Sequence, residues 1–283
     1  MDGGACQSGL RVFSASPGGH AIRLFLVVIV WMTTTVDPLR AVEPRIMKWT
    51  IEHVERDAIV YPPSAPRGRA GAPLVFVFHG HGDNAWFATE QFALQDLWPE
   101  AVVVYPQGLP TPAASDPRGE RRGWQHQPGE VGDRDLQLFD AMLRSLRWRF
   151  RIDDRRIYAA GFSNGGFFDY ILWARRAPTF AAFAPCAAAL RPPLEISVPK
   201  PVLVVAGEQD QRVPFEEQRK NIETLRKING CTGEGQLWES AATRYASPGG
   251  TPVVAYIHPY GHAVRRQAAE LIVSFFQEHT LPK

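Results

Sequence analysis

The chain has 283 residues, of which 45% are hydrophobic and 21% are charged. A chain of this length forms one or two domains and can bury a large apolar core without metal or disulfide staples. Its 31 basic and 29 acidic residues give a net charge of only +2, whereas a dedicated nucleic-acid-binding protein carries a strong basic excess. We therefore expect no nucleic-acid partner.

Residues 1–41 have the pattern of a targeting segment. Arg11, His20 and Arg23 precede an unbroken apolar run over 24–32 (LFLVVIVWM), and even counted to Val36 the segment has only 13 residues. At 1.5 Å per residue such a helix is too short for a hydrocarbon core of roughly 30 Å. A basic region before a short apolar run is typical of a signal peptide. We predict a signal peptide or targeting segment over 1–41 and a secreted or periplasmic catalytic domain over 42–283, with no stable membrane partner after cleavage. A retained membrane anchor and a misassigned start are the alternatives.

From residue 47 onward, strand-like and helix-like segments alternate. Residues 74–78 (LVFVF) and 101–105 (AVVVY) are unbroken apolar runs, as expected for strands buried on both faces. This alternation predicts an α/β protein, in which a mostly parallel central sheet carries helices on both faces. The predicted strands are 47–53, 58–61, 74–78, 101–105, 157–160, 180–184, 202–206 and 253–257, and the predicted helices are 86–97, one around 136–146, 165–175, 215–228 and 264–276.

A G-x-S-x-G motif occupies residues 161–165, between a predicted strand and a predicted helix. Active sites of such sheets lie at the carboxyl ends of the strands. In that setting the chain turns sharply, and both glycines avoid collisions with the neighbouring strand and helix. The serine is then exposed at a helix N-terminus, which favours negative charge. We predict that Ser163 is a nucleophile, with a glycine-rich helix cap as the alternative.

Two further strand ends supply an acid and a base. Asp210 and His262 follow the strands 202–206 and 253–257, and the order Ser, acid, His is that of the α/β-hydrolase fold. A serine hydroxyl needs an imidazole to take its proton, and a buried carboxylate fixes that imidazole. Asp210 is preferred over Glu208 because it sits deeper in its turn. His262 is preferred over His258 because it lies in a loop beside a glycine.

The oxyanion hole and the substrate contacts are predicted from the neighbouring loops. The H-G-H-G turn of residues 79–82 follows the first buried strand, so we expect the N–H groups of His81 and Asn164 to bind the oxyanion. A long loop over 106–129 would overhang the site. Three aromatic residues near these loops are candidates for substrate binding, or else anchor their loops: Trp124, Trp86 and Tyr260.

Short motifs are spread over roughly residues 46–280. They are F-H-G-H-G at 78–82, Y-P-Q-G at 105–108, D-R-R-I-Y at 154–158, G-F-S-N-G-G at 161–166, the segment 207–214, N-G-C at 229–231 and G-H at 261–262. Together they resemble secreted esterases of the polyhydroxybutyrate depolymerase and feruloyl/acetylxylan esterase group. The resemblance implies the α/β-hydrolase fold, hydrolysis of carboxylic esters without a cofactor, and a catalytic triad of Ser163, Asp210 and His262. Many depolymerases carry cysteine where this chain has His81.

The sequence leaves two alternatives to a serine esterase. His79, His81 and Asp83 have the spacing of a zinc-hydrolase H-x-H-x-D motif, although such a site needs further ligands. A metal site also leaves the Ser–acid–His order unexplained. The other alternative is a non-catalytic binding protein on a hydrolase scaffold. We favour an esterase that acts through an acyl-enzyme on a small-molecule or polymeric substrate, with feruloyl, acetyl, hydroxybutyrate-oligomer and short-chain lipid esters all open.

The cysteines leave one structural question open. Cys6 lies within the predicted targeting segment, so Cys186 and Cys231 remain in the catalytic domain. Export permits a disulfide bond between them. Their proximity does not follow from the sequence, and two buried free thiols are equally compatible with it.

Overall fold

The computed structural model describes residues 43–65, 71–239 and 241–282. The predicted targeting segment over 1–41 and Cys6 lie outside these residues. Within these ranges, every helix is too short or too polar to cross a bilayer.

Twelve strands and six α-helices make up the described part of the chain. The strands are β1 (Arg45–Ile51), β2 (Val54–Tyr61), β3 (Ala72–Phe78), β4 (Val102–Pro106), β5 (Leu109–Pro110), β6 (Arg122–Gly123), β7 (Ile152–Phe162), β8 (Ala182–Cys186), β9 (Val202–Gly207), β10 (Gln236–Trp238), β11 (Ala242–Tyr245) and β12 (Val253–His258). The helices are α1 (Ala85–Phe92), α2 (Leu94–Leu97), α3 (Arg134–Phe150), α4 (Asn164–Arg176), α5 (Phe215–Ile228) and α6 (Arg266–Glu278).

Ten of these strands form one sheet in the order β1-β2-β4-β3-β7-β8-β9-β12-β11-β10. The six strands from β4 to β12 in this order are parallel, and the pairs at both edges are antiparallel. The predicted mostly parallel sheet is thereby confirmed. Because parallel strands end at one edge of the sheet, the loops that follow β3, β7, β8, β9 and β12 lie at that edge.

Buried apolar side chains form a core on each face of the sheet. Phe76 contributes to one core together with Phe168 of α4, and Val77 contributes to the other together with Phe276 of α6. Successive residues of a strand point to opposite faces, which explains why the central strands are apolar throughout. We refer to the two sides as the α4 face and the α6 face.

Several local predictions differ from the structure, and the largest shift is at β7, which begins at Ile152 and not at residue 157. The predicted helix over 86–97 is two helices, because Ala93 adopts a positive φ of 47° between α1 and α2. The predicted strand over 180–184 starts two residues later, at Ala182. Strands β5, β6, β10 and β11 were not predicted, since segments of two to four residues carry too little alternation to be recognised.

Candidate active site

Ser163 lies in the sharp turn between β7 and α4. Its φ of 54° and ψ of −117° place it in a sparsely populated region for an L-residue. Its N–H donates to the Cys186 carbonyl at 2.9 Å, and its carbonyl accepts from the Phe167 N–H at 2.9 Å. A side chain at Gly165 would overlap the Phe78 carbonyl, so glycine permits α4 to approach the end of β3. These contacts fix Ser163 at the carboxyl edge of the sheet.

Asp210 is held by four hydrogen-bond donors. Its side chain is fully buried. One carboxylate oxygen accepts from the N–H groups of Arg212 and Val213 at 2.9 and 3.0 Å. The other oxygen accepts from Nε2 of Gln218 at 3.1 Å and from Nδ1 of His262 at 2.8 Å. The bond at Nδ1 leaves Nε2 of His262 as the ring nitrogen that can take a proton from a nucleophile.

His262 also contacts the turn that carries the serine. The ring of Phe162, which precedes Ser163, packs on the His262 ring with centroids 4.6 Å apart. Among the described residues, no hydrogen bond joins the Ser163 hydroxyl to His262. Catalytic hydrogen bonds of this kind often tighten only when the substrate binds. The structure therefore brings the acid, the base and the serine turn together, and the catalytic roles stay predictions.

The alternative acid and base lie outside this arrangement. Glu208 is exposed, and its N–H donates to the His258 carbonyl at 2.9 Å. The ring of His258 is buried, and its Nδ1 accepts from the Tyr260 N–H at 3.3 Å. Burial lowers the pKa of His258, which favours a neutral structural histidine. Neither residue forms the carboxylate–imidazole contact that the predicted pair makes.

Two main-chain N–H groups, one directly after Ser163 and one in the turn after β3, are available as donors. The N–H groups of His81 and Asn164 donate to no other residue in the part of the chain that the structure describes. The turn beside them is anchored by the Gly82 N–H, which donates to the Arg122 carbonyl at 2.7 Å. The His81 ring contacts the Asp116 carboxylate through Nε2 at 3.2 Å, and its Nδ1 is buried without a hydrogen-bond partner among the described residues. This arrangement is compatible with the predicted oxyanion hole.

His79 has a structural role that the sequence did not indicate. Its ring is buried, and Nε2 accepts from the Gly108 N–H at 2.9 Å. The proton of the neutral ring therefore lies on Nδ1, which donates to the Gly80 carbonyl at 2.7 Å. Burial lowers the pKa of His79 to about 4 and keeps the ring neutral. The ring thus ties the start of the 106–129 loop to the predicted oxyanion turn.

Of the two alternatives for Trp124, substrate contact or loop anchor, its burial favours the loop anchor. Its side chain is fully buried, and the ring packs against Phe78 and Phe168 at centroid distances of 5.1 and 5.6 Å. Its indole N–H donates to the His79 carbonyl at 2.9 Å. The Asn164 side chain accepts from the Trp124 N–H at 2.6 Å and donates to its carbonyl at 3.1 Å. Trp124 is therefore a core residue that fastens the 106–129 loop to the serine turn.

The other two aromatic candidates are accessible. Trp86 on α1 is 50% exposed, and Tyr260 is 48% exposed. The guanidinium of Arg265 lies over the Tyr260 ring at 4.6 Å. Trp86 follows the oxyanion turn and Tyr260 precedes His262 by two residues, so both stay predictions of substrate contact.

The metal-site alternative finds no support in the arrangement of its side chains. Among the described residues, no group of three or more His, Cys, Asp or Glu side chains converges to hold a metal ion. Both ring nitrogens of His79 are engaged within the protein, and the ring of His81 contacts Asp116. His79 and His81 of the H-x-H-x-D pattern lie in the turn after β3 and are held there by contacts within the protein.

The two cysteines among the described residues are separate thiols. Cys186 and Cys231 are both buried and not bonded to each other. Burial raises the pKa of each thiol, which disfavours the reactive thiolate. The structure thus answers the question that the sequence left open.

Comparisons with known proteins agree with this fold. No family model matches the chain. Feruloyl esterase B of Piromyces equi is 29% identical over 202 residues, which cover 63% of this chain and 36% of that protein. The bifunctional acetylxylan esterase/xylanase XynS20E of Neocallimastix patriciarum is 27% identical over 184 residues, covering 63% of this chain and 25% of that protein. The chain thus spans about a third or less of the length of these relatives.

Solved structures show the same architecture. The acetyl xylan esterase from Aspergillus awamori superposes with a TM-score of 0.59 at 11% identity, covering 82% of this chain and 99% of that chain. An identity this low supports the fold alone. The chain therefore has the α/β-hydrolase fold, and its resemblance to feruloyl and acetylxylan esterases is confirmed by relatives that carry those names.

Proposed function

We propose that the protein is an exported carboxylic ester hydrolase that works through an acyl-enzyme. The observation that carries the proposal is the hydrogen bond of 2.8 Å between Asp210 and His262, beside the turn that presents Ser163. A buried carboxylate in this position fixes the imidazole tautomer and stabilises the imidazolium that forms when the serine loses its proton.

Each proton in the reaction has a defined destination. The Ser163 oxygen attacks the ester carbonyl while Nε2 of His262 takes the hydroxyl proton, and the N–H groups of His81 and Asn164 bind the oxyanion. His262 then gives the proton to the leaving alcohol, which leaves an acyl group on Ser163. Water attacks this acyl group with His262 again as the base, and the acid product and free serine are released.

The names of the relatives suggest the class of ester. One is called a feruloyl esterase and the other a bifunctional acetylxylan esterase/xylanase. Feruloyl and acetyl esters are accordingly the first substrates to test, together with hydroxybutyrate oligomers, which the sequence motifs suggest. Export rests on the basic and apolar pattern of residues 1–41.

Replacement of Ser163 by alanine tests the proposal. We expect Ser163→Ala to lower kcat/KM for 4-nitrophenyl acetate by roughly 10⁴-fold or more, with an unchanged melting temperature. Ser274→Ala on α6 is the matched control and should retain full activity. Retained activity in the Ser163 variant would rule out this nucleophile. A folded wild-type protein that neither hydrolyses esters nor reacts with a fluorophosphonate would instead support a non-catalytic binding protein.

A further inference from the structure

Strand β6 lies between the two residues whose N–H groups are the predicted oxyanion donors. On one side, the N–H of Gly82, which follows His81, donates to the Arg122 carbonyl at 2.7 Å. On the other side, the Asn164 side chain accepts from the Trp124 N–H at 2.6 Å and donates to the Trp124 carbonyl at 3.1 Å. The two donors are therefore tied to residues 122 and 124 of one short segment.

Gly123, the residue between these two attachments, is in close contact with both donor residues. A methyl group at Gly123 would lie 2.5 Å from Nδ1 of His81 and 2.8 Å from Oδ1 of Asn164. Both distances are shorter than van der Waals contact. The φ of Gly123 lies outside the left-handed region, so the close approach is what favours glycine here. Any larger residue would push the His81 ring or the Asn164 side chain away.

Asp116 connects the oxyanion turn to the residues that precede β6. Its side chain is 9% exposed. Oδ2 accepts from the Arg121 N–H at 2.8 Å and from Nε2 of His81 at 3.2 Å, and Oδ1 accepts from the Glu120 N–H at 3.3 Å. Nε of Arg121 lies 3.7 Å from Oδ2. The His81 ring is thus held by Asp116 at Nε2 and lies against Gly123 at Nδ1.

The turn that carries the His81 N–H depends on such outside contacts. His81 stands between Gly80 and Gly82, and Gly82 has a positive φ of 85°. Glycines on both sides give this main chain more freedom than other residues would. Two oxyanion donors must point at the same oxygen from about 2.7–3.1 Å, and a misplacement of about 1 Å can lower a rate about 100-fold. The orientation of the His81 N–H therefore has to be set by groups that contact the turn.

We propose that residues 116–124 act as a spacer that sets the distance between the two oxyanion N–H groups, and that Asp116 is a positioning residue that acts through the His81 ring. The spacer holds His81 by way of Asp116 and Arg122, and it holds Asn164 by way of Trp124. This inference rests on the proposed esterase function, because that function gives the two N–H groups their role.

Asp116→Asn tests the positioning role. The amide keeps the size of the side chain, but one of its polar atoms can no longer accept, so the contact with His81 or with the main chain is lost. We expect kcat/KM for 4-nitrophenyl acetate to fall about 10- to 100-fold. The Ki of benzyl trifluoromethyl ketone, which forms a tetrahedral oxyanion on the serine, should rise by a similar factor.

Asp153→Asn is the matched control for a purely structural loss. Asp153 accepts from the Arg155 N–H at 3.1 Å and from Nε of Arg156 at 2.9 Å, so it also joins main-chain and cationic donors. It lies at the start of β7, at the opposite end of that strand from the serine turn. Its loss should lower the melting temperature while kcat/KM and the Ki of the ketone stay at the wild-type values.

A double-mutant cycle shows whether Asp116 acts through the His81 ring. His81→Phe keeps the main-chain N–H and a ring but cannot donate to Asp116, and it also serves as the test should Asp116→Asn not fold. Each single substitution should lower kcat/KM, and adding Asp116→Asn to His81→Phe should cause little further loss. His81→Gln, whose amide can donate in place of Nε2, should retain more activity than His81→Phe.

Gly123→Ala tests the spacing between the donors. The added methyl group would displace the His81 ring or the Asn164 side chain, so kcat/KM should fall and the Ki of the ketone should rise. Gly233→Ala is the same substitution at a glycine with open space around it, and it should behave like the wild type.

The outcomes separate this inference from the proposed function. Wild-type kcat/KM and Ki in folded Asp116→Asn or His81→Phe, equal losses in Asp153→Asn, or additive effects in the cycle would overturn the positioning role and leave the esterase intact. Wild-type values in Gly123→Ala would overturn the spacer. A folded wild-type protein that hydrolyses no ester would overturn the proposed function and the spacer with it.

Discussion

The two sides of the candidate active site are held in place by different forces. On the acid–base side, Asp210 is positioned by four hydrogen bonds from its own turn, from α5 and from His262. On the nucleophile side, position comes from close packing: Gly165 lies against the Phe78 carbonyl, and the Trp124 ring fills the space between β3 and α4. A change on the first side therefore removes buried hydrogen bonds, whereas a change on the second side removes core contacts.

The largest expected effect is on the acid–base side. Asp210→Asn keeps the shape of the side chain but removes the charge that stabilises the imidazolium and its tautomer. We expect kcat for a 4-nitrophenyl ester to fall about 10⁴-fold. The melting temperature should also fall, because the amide nitrogen of asparagine cannot accept the two hydrogen bonds that one carboxylate oxygen receives. Asp140→Asn, which alters an ion pair with Arg176 away from the site, is the control and should keep its activity. A loss of less than tenfold in the Asp210 variant would contradict the assigned acid.

A substitution on the nucleophile side should lower the stability of the folded protein. Trp124→Ala leaves a cavity between β3 and α4 and removes a buried hydrogen bond, so the free energy of unfolding in urea should fall by about 3–5 kcal/mol. Trp148→Ala is the same substitution at a side chain that is 87% exposed, and it should change stability by no more than about 0.5 kcal/mol. If Trp124→Ala and Trp148→Ala lowered the free energy of unfolding equally, close packing would not be what holds the nucleophile side in place.

The pH dependence of stability sharpens the comparison on the nucleophile side. Burial lowers the pKa of His79 to about 4, against about 6.5 in the unfolded chain. The lowered pKa of the His79 ring therefore contributes up to about 3 kcal/mol to the free energy of unfolding. This contribution is fully present above pH 6.5 and is lost as the pH falls toward 4. The buried carboxyl of Asp169 has a raised pKa, so its contribution to the free energy of unfolding changes with pH in the opposite direction. Comparing the wild type with His79→Gln cancels this contribution, because both proteins contain Asp169.

The difference in unfolding free energy between these two proteins should shrink by about 3 kcal/mol between pH 7 and pH 4. Urea denaturation at a series of pH values measures this difference. A difference that does not vary with pH would show that the His79 ring titrates normally in the folded protein.

Sequence patterns located the loops of the site because each follows a buried apolar strand. Ser163, Asp210 and His262 were recognised from strand ends and chain order, both of which are local signals. Gln218 was missed, since its hydrogen bond to Asp210 depends on how α5 packs beside the turn. The role of Trp124 stayed open for a related reason: the sequence does not show whether a tryptophan in a long loop is accessible, and its burial depends on contacts with Asn164 and Phe168.

The amide of Asn164 grips the main chain of Trp124 with both of its polar atoms. The residues that follow, including His126 and Gln127, are consequently mounted on the same rigid support as the nucleophile. An exchange of their side chains would therefore leave Ser163 in its place at the start of α4.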